Sequence, residues 1–416
     1  MQICLFEDNQ VDFFEPLIYS RGVYDLVCGG SSLKDKILRV YPDIKYSLHC
    51  REYLAACIKE QNIGISVNEI VDDICLFING RVIAGSDFSS IVPLNDNEDK
   101  LYLQNNDVIA ARLSGTNLKK FKQFLNKPLE LSLFPSIPKV KIEVKIAGYI
   151  WDLIRENNKE LISDIYYLTK ISLFHNHLSG IHLIRKENIY IEGNAVIKPG
   201  VVLDASNGPI FIGENSVVYP NSVIIGPVYI GRSTLIKSLA KIYENVSIGD
   251  VCKVGGEVED AIIMSYSNKQ HDGFLGHAYL GNWINLGADT NCSDLRNNYG
   301  FVKTHVNGKD INTKTQFLGL VMGDHSKSGI NTMFNTGSVV GFSCNIYGSG
   351  FPDKYLPSFS WGGSDNLQTY QIDKSLDTAK VVMSRRKIEF KKTDEDLFRK
   401  IFEMTKNERM LKGLPG

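Results

Sequence analysis

The sequence lacks any imbalance of charge: 46 lysines and arginines stand against 47 aspartates and glutamates, a formal net charge of -1. Without a broad basic field there is little counterion release to exploit, so nucleic acid is not an expected partner. Long apolar runs are missing as well. No stretch approaches the roughly 20 residues of a membrane span, and a membrane location is not expected. The opening MQICLFEDNQVDFF carries Glu7 and Asp8 and no basic flank ahead of an apolar stretch, so it does not read as a signal peptide. Paired cysteine spacings are absent too. Cys4, Cys28, Cys50, Cys57, Cys75, Cys252, Cys292 and Cys344 form no CxxC, which suits reduced, buried thiols in a cytoplasmic protein. The composition, 43% hydrophobic over 416 residues, is that of a soluble protein of two or three domains.

What the sequence does have is a period. Ile212, Val218, Ile224, Ile230, Ile236, Ile242, Ile248 and Val254 recur every sixth residue, and all are β-branched. Four residues after each comes a small or medium side chain: Ser216, Ser222, Val228, Thr234, Ala240, Val246, Cys252 and Val258. Helices would repeat every 3.6 residues and ordinary strands every two. A period of six is the hexapeptide rule of a parallel β-helix, in which the aliphatic residue points into a triangular prism. Earlier turns fall at Ile191, Ile197 and Leu203, and later ones at Leu280, Leu286, Met322, Phe334, Val340 and Ile346. Two polar stretches interrupt the rhythm, SYSNKQHDGFLGHAYLGNWINLG (265–287) and TNCSDLRNNYGFVKTHVNGKDINTK (290–314). Both are expected to be loops leaving the prism, where a rigid scaffold carries function.

The N-terminal region differs. QICLF, ICLFING and NDVIAARL predict buried strands, and SLHCREYLAACIKEQN predicts an amphipathic helix with Ser47 as its cap. Strands alternating with helices predict an α/β layer domain over residues 1–149. A helical connector follows over 150–180 and the β-helix over 181–352. A loop and a charged helical tail complete the chain over 353–416.

The tokens YSNKQHDGFLGHAYLGNWINLGADTNCSDLRNNYG, FLGLVMGDHSKSGINTMFNTGSVVG and FSWGG, with LFEDN, SRGVYDL and FINGRVIA before them, carry a resemblance. The chain resembles the divergent GlmU-like sugar nucleotidyltransferase family, and more broadly the bifunctional UDP-N-acetylglucosamine pyrophosphorylase/glucosamine-1-phosphate N-acetyltransferase. The resemblance implies a nucleotidyltransferase-like α/β domain followed by a left-handed parallel β-helix. It implies acetyl-CoA-dependent N-acetylation of glucosamine 1-phosphate and uridylyl transfer from UTP with Mg2+, giving UDP-N-acetylglucosamine in a cytoplasmic homotrimer with interfacial sites. The alternatives are activity in one domain only, on another sugar, or a non-catalytic sugar-nucleotide-binding scaffold.

Roles follow from the same resemblance. His271 is the expected base that takes the proton of the attacking amine, as an imidazole can at neutral pH. His277 is its rival, and His325 a third choice if the site closes across subunits. Asn285 is assigned to the sugar, and Lys269 and Arg232 to its phosphate. Ala288, Asn298 and Tyr299 are assigned to acetyl-CoA, as are Asp324 and His325 in GDHSKSG. The tail segment MSRRK (383–387) is a candidate for the CoA phosphates. Phe274 departs from the pattern, because the related enzyme has tyrosine three residues after its base and a phenyl ring donates no hydrogen bond. The classical glycine-rich loop and metal-binding aspartate are missing from the N-terminal domain. Their counterparts are Arg21, Gly29, Gly30 and Lys36 for the nucleotide phosphates and Asp8 for magnesium.

Overall fold

The computed structural model describes residues 1–125, 127–130, 133, 136–168 and 179–415. Gln2–Phe6 and Ile74–Asn79 are apolar on both faces and lie side by side, parallel, in the middle of a seven-stranded sheet. Tyr46–Leu48 and Ser66–Val67 extend it on one side, Asp107–Ser114, Lys100–Gln104 and Lys139–Lys141 on the other. One face buries Cys4, Phe6, Phe77, Leu113 and Phe121. The other buries Ile3, Leu5, Leu76 and Ile78.

The segment 47–62 is not the single helix its spacing predicts. Tyr46–Leu48 is a strand, Glu52–Leu54 a 3-10 turn, and the helix runs only over Ala55–Gln61. Ser47 is therefore no cap: it sits in the sheet, where Gln2 Nε2 donates to its hydroxyl at 2.8 Å. Pairing with the buried strand Gln2–Phe6 overrode the local helical preference.

The second half is a left-handed parallel β-helix of three faces. A first face runs from His182–Ile184 to Met333–Phe334, and a second from Ile189–Ile191 to Tyr355–Leu356. A third begins at Val196–Ile197 and passes through bridges at Asn285 to Lys327–Ser328 and beyond. Val218, Ile236 and Val254 align in register, so one coil is three hexapeptides. Their side chains and those of Ile212, Ile230 and Ile248 are wholly buried, each worth about 1.5–3 kcal/mol of transfer free energy. After Val254 the next inward residue, Val258, comes only four positions later; Gly256, at φ +70, makes that tightened corner possible.

The stretch 265–287 does not leave the prism, contrary to expectation. Asn268–Lys269, Phe274–Gly276 and Tyr279–Leu280 are regular strands of the third, first and second faces. Its rhythm falters because a lysine occupies the aliphatic position opposite Val254. Lys269 is 2% exposed, and its ammonium donates to the carbonyls of Gly255 and His271 at 2.9 Å each. The later stretch does leave the prism, as the hairpin Lys303–Val306 with Lys309–Asn312.

The N-terminal domain rests on the second face. Ile262, Tyr279, Val321 and Val339 share a core with Val11, Phe14, Leu17 and Trp151, and Tyr279 Oη exchanges hydrogen bonds with the backbone N–H and C=O of Val27. The connector is a helix over Ile150–Leu168; its residues 169–178 lie outside the described residues. The tail helices Ile372–Ser384 and Lys392–Met404 are no solvated arm. Leu376, Leu397, Phe398 and Ile401 pack in one cluster with Leu5 and Ile78 of the N-terminal domain and Phe342 and Phe359 of the prism. No helix among the described residues is long and apolar enough to cross a membrane.

Glu15 lies where the N-terminal domain, the prism and the tail meet. Burial, then the charges of Asp12 and Glu408, push its carboxyl up to about 8 from 4.5, against the hydrogen bond of Tyr19 and the charge of Arg51. A folded value above the unfolded one means that stability is fully expressed below pH 4.5 and declines as pH rises toward 8. Urea midpoints measured from pH 5 to pH 8 should fall across that window. Glu15→Gln should flatten the decline, leaving the variant the more stable protein at pH 8.

Candidate active site along the edges of the prism

The three corners of each coil stack into three edges, and the predicted residues divide among them. On the edge between first and second faces, Asn245, Asp260 and His277 follow one another coil by coil through backbone bonds, and the His277 carbonyl then accepts from Gly319. Here His277 Nδ1 lies 2.8 Å from Asp294 Oδ2, and Nε2 lies 3.7 Å from Asp260. Phe317 stacks on the imidazole with centroids 4.7 Å apart. A carboxylate at Nδ1 accepts that N–H and leaves Nε2 as the basic atom. Burial alone would depress the imidazole, but the Asp294 hydrogen bond and the charges of Asp260, Asp294 and Glu259 outweigh it, and its pKa is raised. Among the described residues, Glu259, His277 and Asp294 are also the group close enough together to hold a metal ion.

His271, the expected base, lies on a different edge. It is exposed in the turn between third and first faces, and its carbonyl accepts from Lys269 while its ring has no hydrogen-bond partner among the described residues. The oriented imidazole is His277. Phe274 belongs to this same neighbourhood: a Cβ added at Gly276 would stand 2.6 Å from its ring and 2.4 Å from Asp294. Asn298 and Tyr299 stand on the excursion that leaves from His277's edge, closed by the bridge Leu295 to Phe317, and Tyr299 is 67% exposed.

Asn285 is on the third face, bridging Asn268 and Lys327, with its Oδ1 3.4 Å from Asn268 Nδ2. Arg386 of the tail donates to Asn268 Oδ1 at 2.9 Å, so the MSRRK segment does reach the prism. There Lys253 is pushed below the usual lysine range by burial and by the charges of Arg386, Lys237 and Arg385. Ala288 is on His271's edge, and its carbonyl accepts from Asn331 at 2.8 Å. Lys269, buried in the corner of the coil, is not a surface phosphate ligand.

The edge between second and third faces holds Arg232, Asp324 and His325. Arg232 is exposed, 3.6 Å from Glu192. Asp324 is buried and accepts from Ser20, Arg21 and the backbone of Asn282. His325 is 7% exposed among Trp283, Phe342 and Phe398, and burial, then Lys327 and Arg21, hold it neutral, well below the usual imidazole range. It is not a surface base: Asp324 faces Ser20 and Arg21 of the N-terminal domain and His325 faces Phe398 of the tail, while Ser326 and Ser328 bond within the prism.

The proposed phosphate groups are committed elsewhere. Arg21 pairs with Asp324. Gly29 N donates to Asn157 at 2.6 Å and Gly30 N to Asp164 at 3.0 Å. Lys36, 1% exposed, lies between Glu160 at 2.9 Å and Asp164 at 2.7 Å, and Asp164 also takes Ser31 and Arg39, each at 2.7 Å. The loop does cradle an anion, but the anion is a carboxylate of the connecting helix. Asp8 does not fit a magnesium ligand: Arg81 holds it through Nε at 3.1 Å and Nη2 at 2.6 Å, and Asn79 donates at 2.7 Å.

Residues 3–172 match the family described as sugar nucleotidyl transferase. The bifunctional protein GlmU of Methanocaldococcus jannaschii is 27% identical over 221 residues, 52% of this chain and 48% of that protein. A bifunctional sugar-1-phosphate nucleotidylyltransferase/acetyltransferase of Sulfurisphaera tokodaii is 25% identical over 336 residues, 76% of this chain and 74% of that one. The chain is similar to sugar nucleotidyl transferases over residues 3–172 and, over longer stretches, to these bifunctional proteins. It spans about half the length of the first of these relatives. Among solved structures, the UDP-N-acetylglucosamine acyltransferase of Francisella novicida aligns at 16% identity and TM-score 0.34, over 56% of this chain and 79% of that one. At that score the likeness carries no argument.

In this chain the residues that sequence reasoning missed are Asp260 and Asp294. Each lies seventeen residues from His277, one coil before and one after, which is a signal once the coil length is known. Two outcomes are expected. In a 1H–13C NMR titration His277 should protonate above the ordinary imidazole range, and Asp294→Asn should bring it down. The pair's stabilisation is present below pH 6.5 and lost as pH rises through the folded value. Separately, Asp164→Ala leaves Arg39 and part of Lys36's charge unpaired and should cost about 3–5 kcal/mol in urea unfolding.

Proposed function

We propose that the prism transfers an acyl group from acetyl-CoA to the amine of an amino-sugar 1-phosphate, glucosamine 1-phosphate being the expected substrate. The observation that carries this reading is the His277–Asp294 pair at 2.8 Å on an open edge. The neutral amine attacks the thioester carbonyl, His277 Nε2 takes the proton shed by nitrogen, and the C–S bond breaks. The proton then goes to the departing thiolate, giving an N-acyl sugar phosphate and free CoA. Asp294 holds the ring orientation and steadies the imidazolium in between.

Asn298 and Tyr299 stand beside this edge and would flank the cofactor. The cations Lys237, Lys253, Arg385 and Arg386 suit phosphates, either of the sugar or of CoA. They lie toward the far side of the first face from His277. We propose a homotrimer with interfacial sites, in which contact between copies along that face would set the His277 edge of one prism beside the Asn285 and Ala288 region of the next. We assign this enzyme to the cytoplasm.

The sugar nucleotidyl transferase match over residues 3–172 supports a second step, uridylyl transfer from UTP with Mg2+ to the sugar 1-phosphate, giving UDP-N-acetylglucosamine. A second reading, acyl transfer alone with a structural N-terminal domain, is favoured by the internal pairing of Arg21, Lys36 and Asp8.

Purified protein with glucosamine 1-phosphate, acetyl-CoA, UTP and magnesium should release CoA. His277→Ala should slow that release about 100-fold or more, and His271→Ala should leave it within about threefold. Loss in His271→Ala with retention in His277→Ala would reverse the assignment. Pyrophosphate, followed separately, decides between the two readings of the N-terminal domain.

A further inference from the structure

A cavity of 470 Å³ lies where the N-terminal domain, the edge between second and third faces, and the tail converge. It is distinct from the His277 edge, and its walls have a consistent chemistry. Five carboxylates line it, Asp25, Glu60, Asp324, Glu389 and Asp394, against two cations, Arg21 and Lys391. Three of the carboxylates are already paired, Asp324 with Arg21, Glu60 with Lys391, and Asp25 with Lys34, which lies outside the cavity wall. Glu389 and Asp394 have no cationic side chain bonded to them among the described residues.

The prism side of the cavity is aromatic. Tyr266 and Trp283, on successive coils, stack 4.3 Å apart at 12°, and His325 follows Trp283 at 5.9 Å and 18°. Two polar atoms of this wall, His325 Nδ1 and Asn282 Oδ1, are shielded from solvent and have no hydrogen-bond partner among the described residues. An orphaned buried polar atom costs about 1–3 kcal/mol, so its survival calls for an explanation. Asn282 Oδ1 accepts only, and a neutral imidazole offers one ring nitrogen as an acceptor. Excess carboxylate, aromatic faces and waiting acceptors all favour one kind of guest, a compact cation that donates hydrogen bonds.

We infer that this cavity is a binding site for a small amine-bearing organic cation. The ammonium is met by Asn282, by His325 and by the unpaired carboxylates, and its carbon skeleton by Trp283, Met264, Met383 and Phe398. A guest here touches three parts of the chain at once, so its occupancy couples the tail to both domains.

Isothermal titration of the full-length protein at pH 7 with n-butylammonium, n-butanol and butyrate tests this with isosteres that differ in charge. Saturable heat is expected from the ammonium and at least about tenfold weaker binding, or none, from the alcohol and the carboxylate. Asn282→Leu and, at the mouth, Asp394→Asn should each weaken the ammonium about tenfold without lowering the thermal midpoint by more than a few degrees. His277→Ala should bind it as the parent does, which separates this site from the acyl-transfer reading. Absence of saturable binding by butylammonium, equal binding of butanol, or indifference of both cavity variants overturns the inference.

Discussion

Everything in this molecule hangs on closing a triangular coil around one inward side chain per face. Ile212, Val218 and Ile224 begin a column that repeats each coil, and these side chains are wholly buried. Because the coil is about eighteen residues long, side chains one coil apart in sequence are neighbours in space. The arrangement turns a linear spacing into a chemical contact. Asp260, His277 and Asp294 meet for that reason, and so do Tyr266 and Trp283 on another edge. Where the column accepts a polar residue, as at Lys269, the ammonium must take backbone carbonyls, since a buried charge without partners would be too costly.

The same rule about buried charge governs the N-terminal domain. Lys36 with Asp164 and Glu160, Asp8 with Arg81, and Glu7 with Arg51 each remove a group from solvent and oblige it to find its opposite. The glycine turn at Gly29 and Gly30 presents its N–H groups to the connecting helix. Removing any one partner strands the other; Lys36 ties the domain to the connector in this way, and Arg21 with Asp324 ties it to the prism. The tail completes it, adding Leu397 and Phe398 to the core that Leu5 and Phe342 share.

The sequence was most informative where its physics is local. The period of six, the buried strands Gln2–Phe6 and Ile74–Asn79, and the similarity to GlmU proteins all followed from residues in order. It misled where long-range pairing competes. Ser47 looked like a helix cap because residues 50–61 are amphipathic, yet the strand Gln2–Phe6 claimed it. Residues 265–287 looked like a loop because they are polar, yet they complete three faces. The resemblance put the base at His271; the carboxylate, contributed by a residue one coil away, stands beside His277, which is the base proposed above.

The sequence by itself pointed to the architecture of the prism, since an aliphatic residue at every sixth position fits neither the 3.6-residue period of a helix nor the two-residue period of an ordinary strand. It also supplied the set of polar residues available for chemistry. Only the tertiary structure decided which of them work together. Six residues along a coil carry the chain to the next face and seventeen bring it back to the same edge, so His271 and His277, close in sequence, stand on different edges. Asp294, much farther along, stands beside His277.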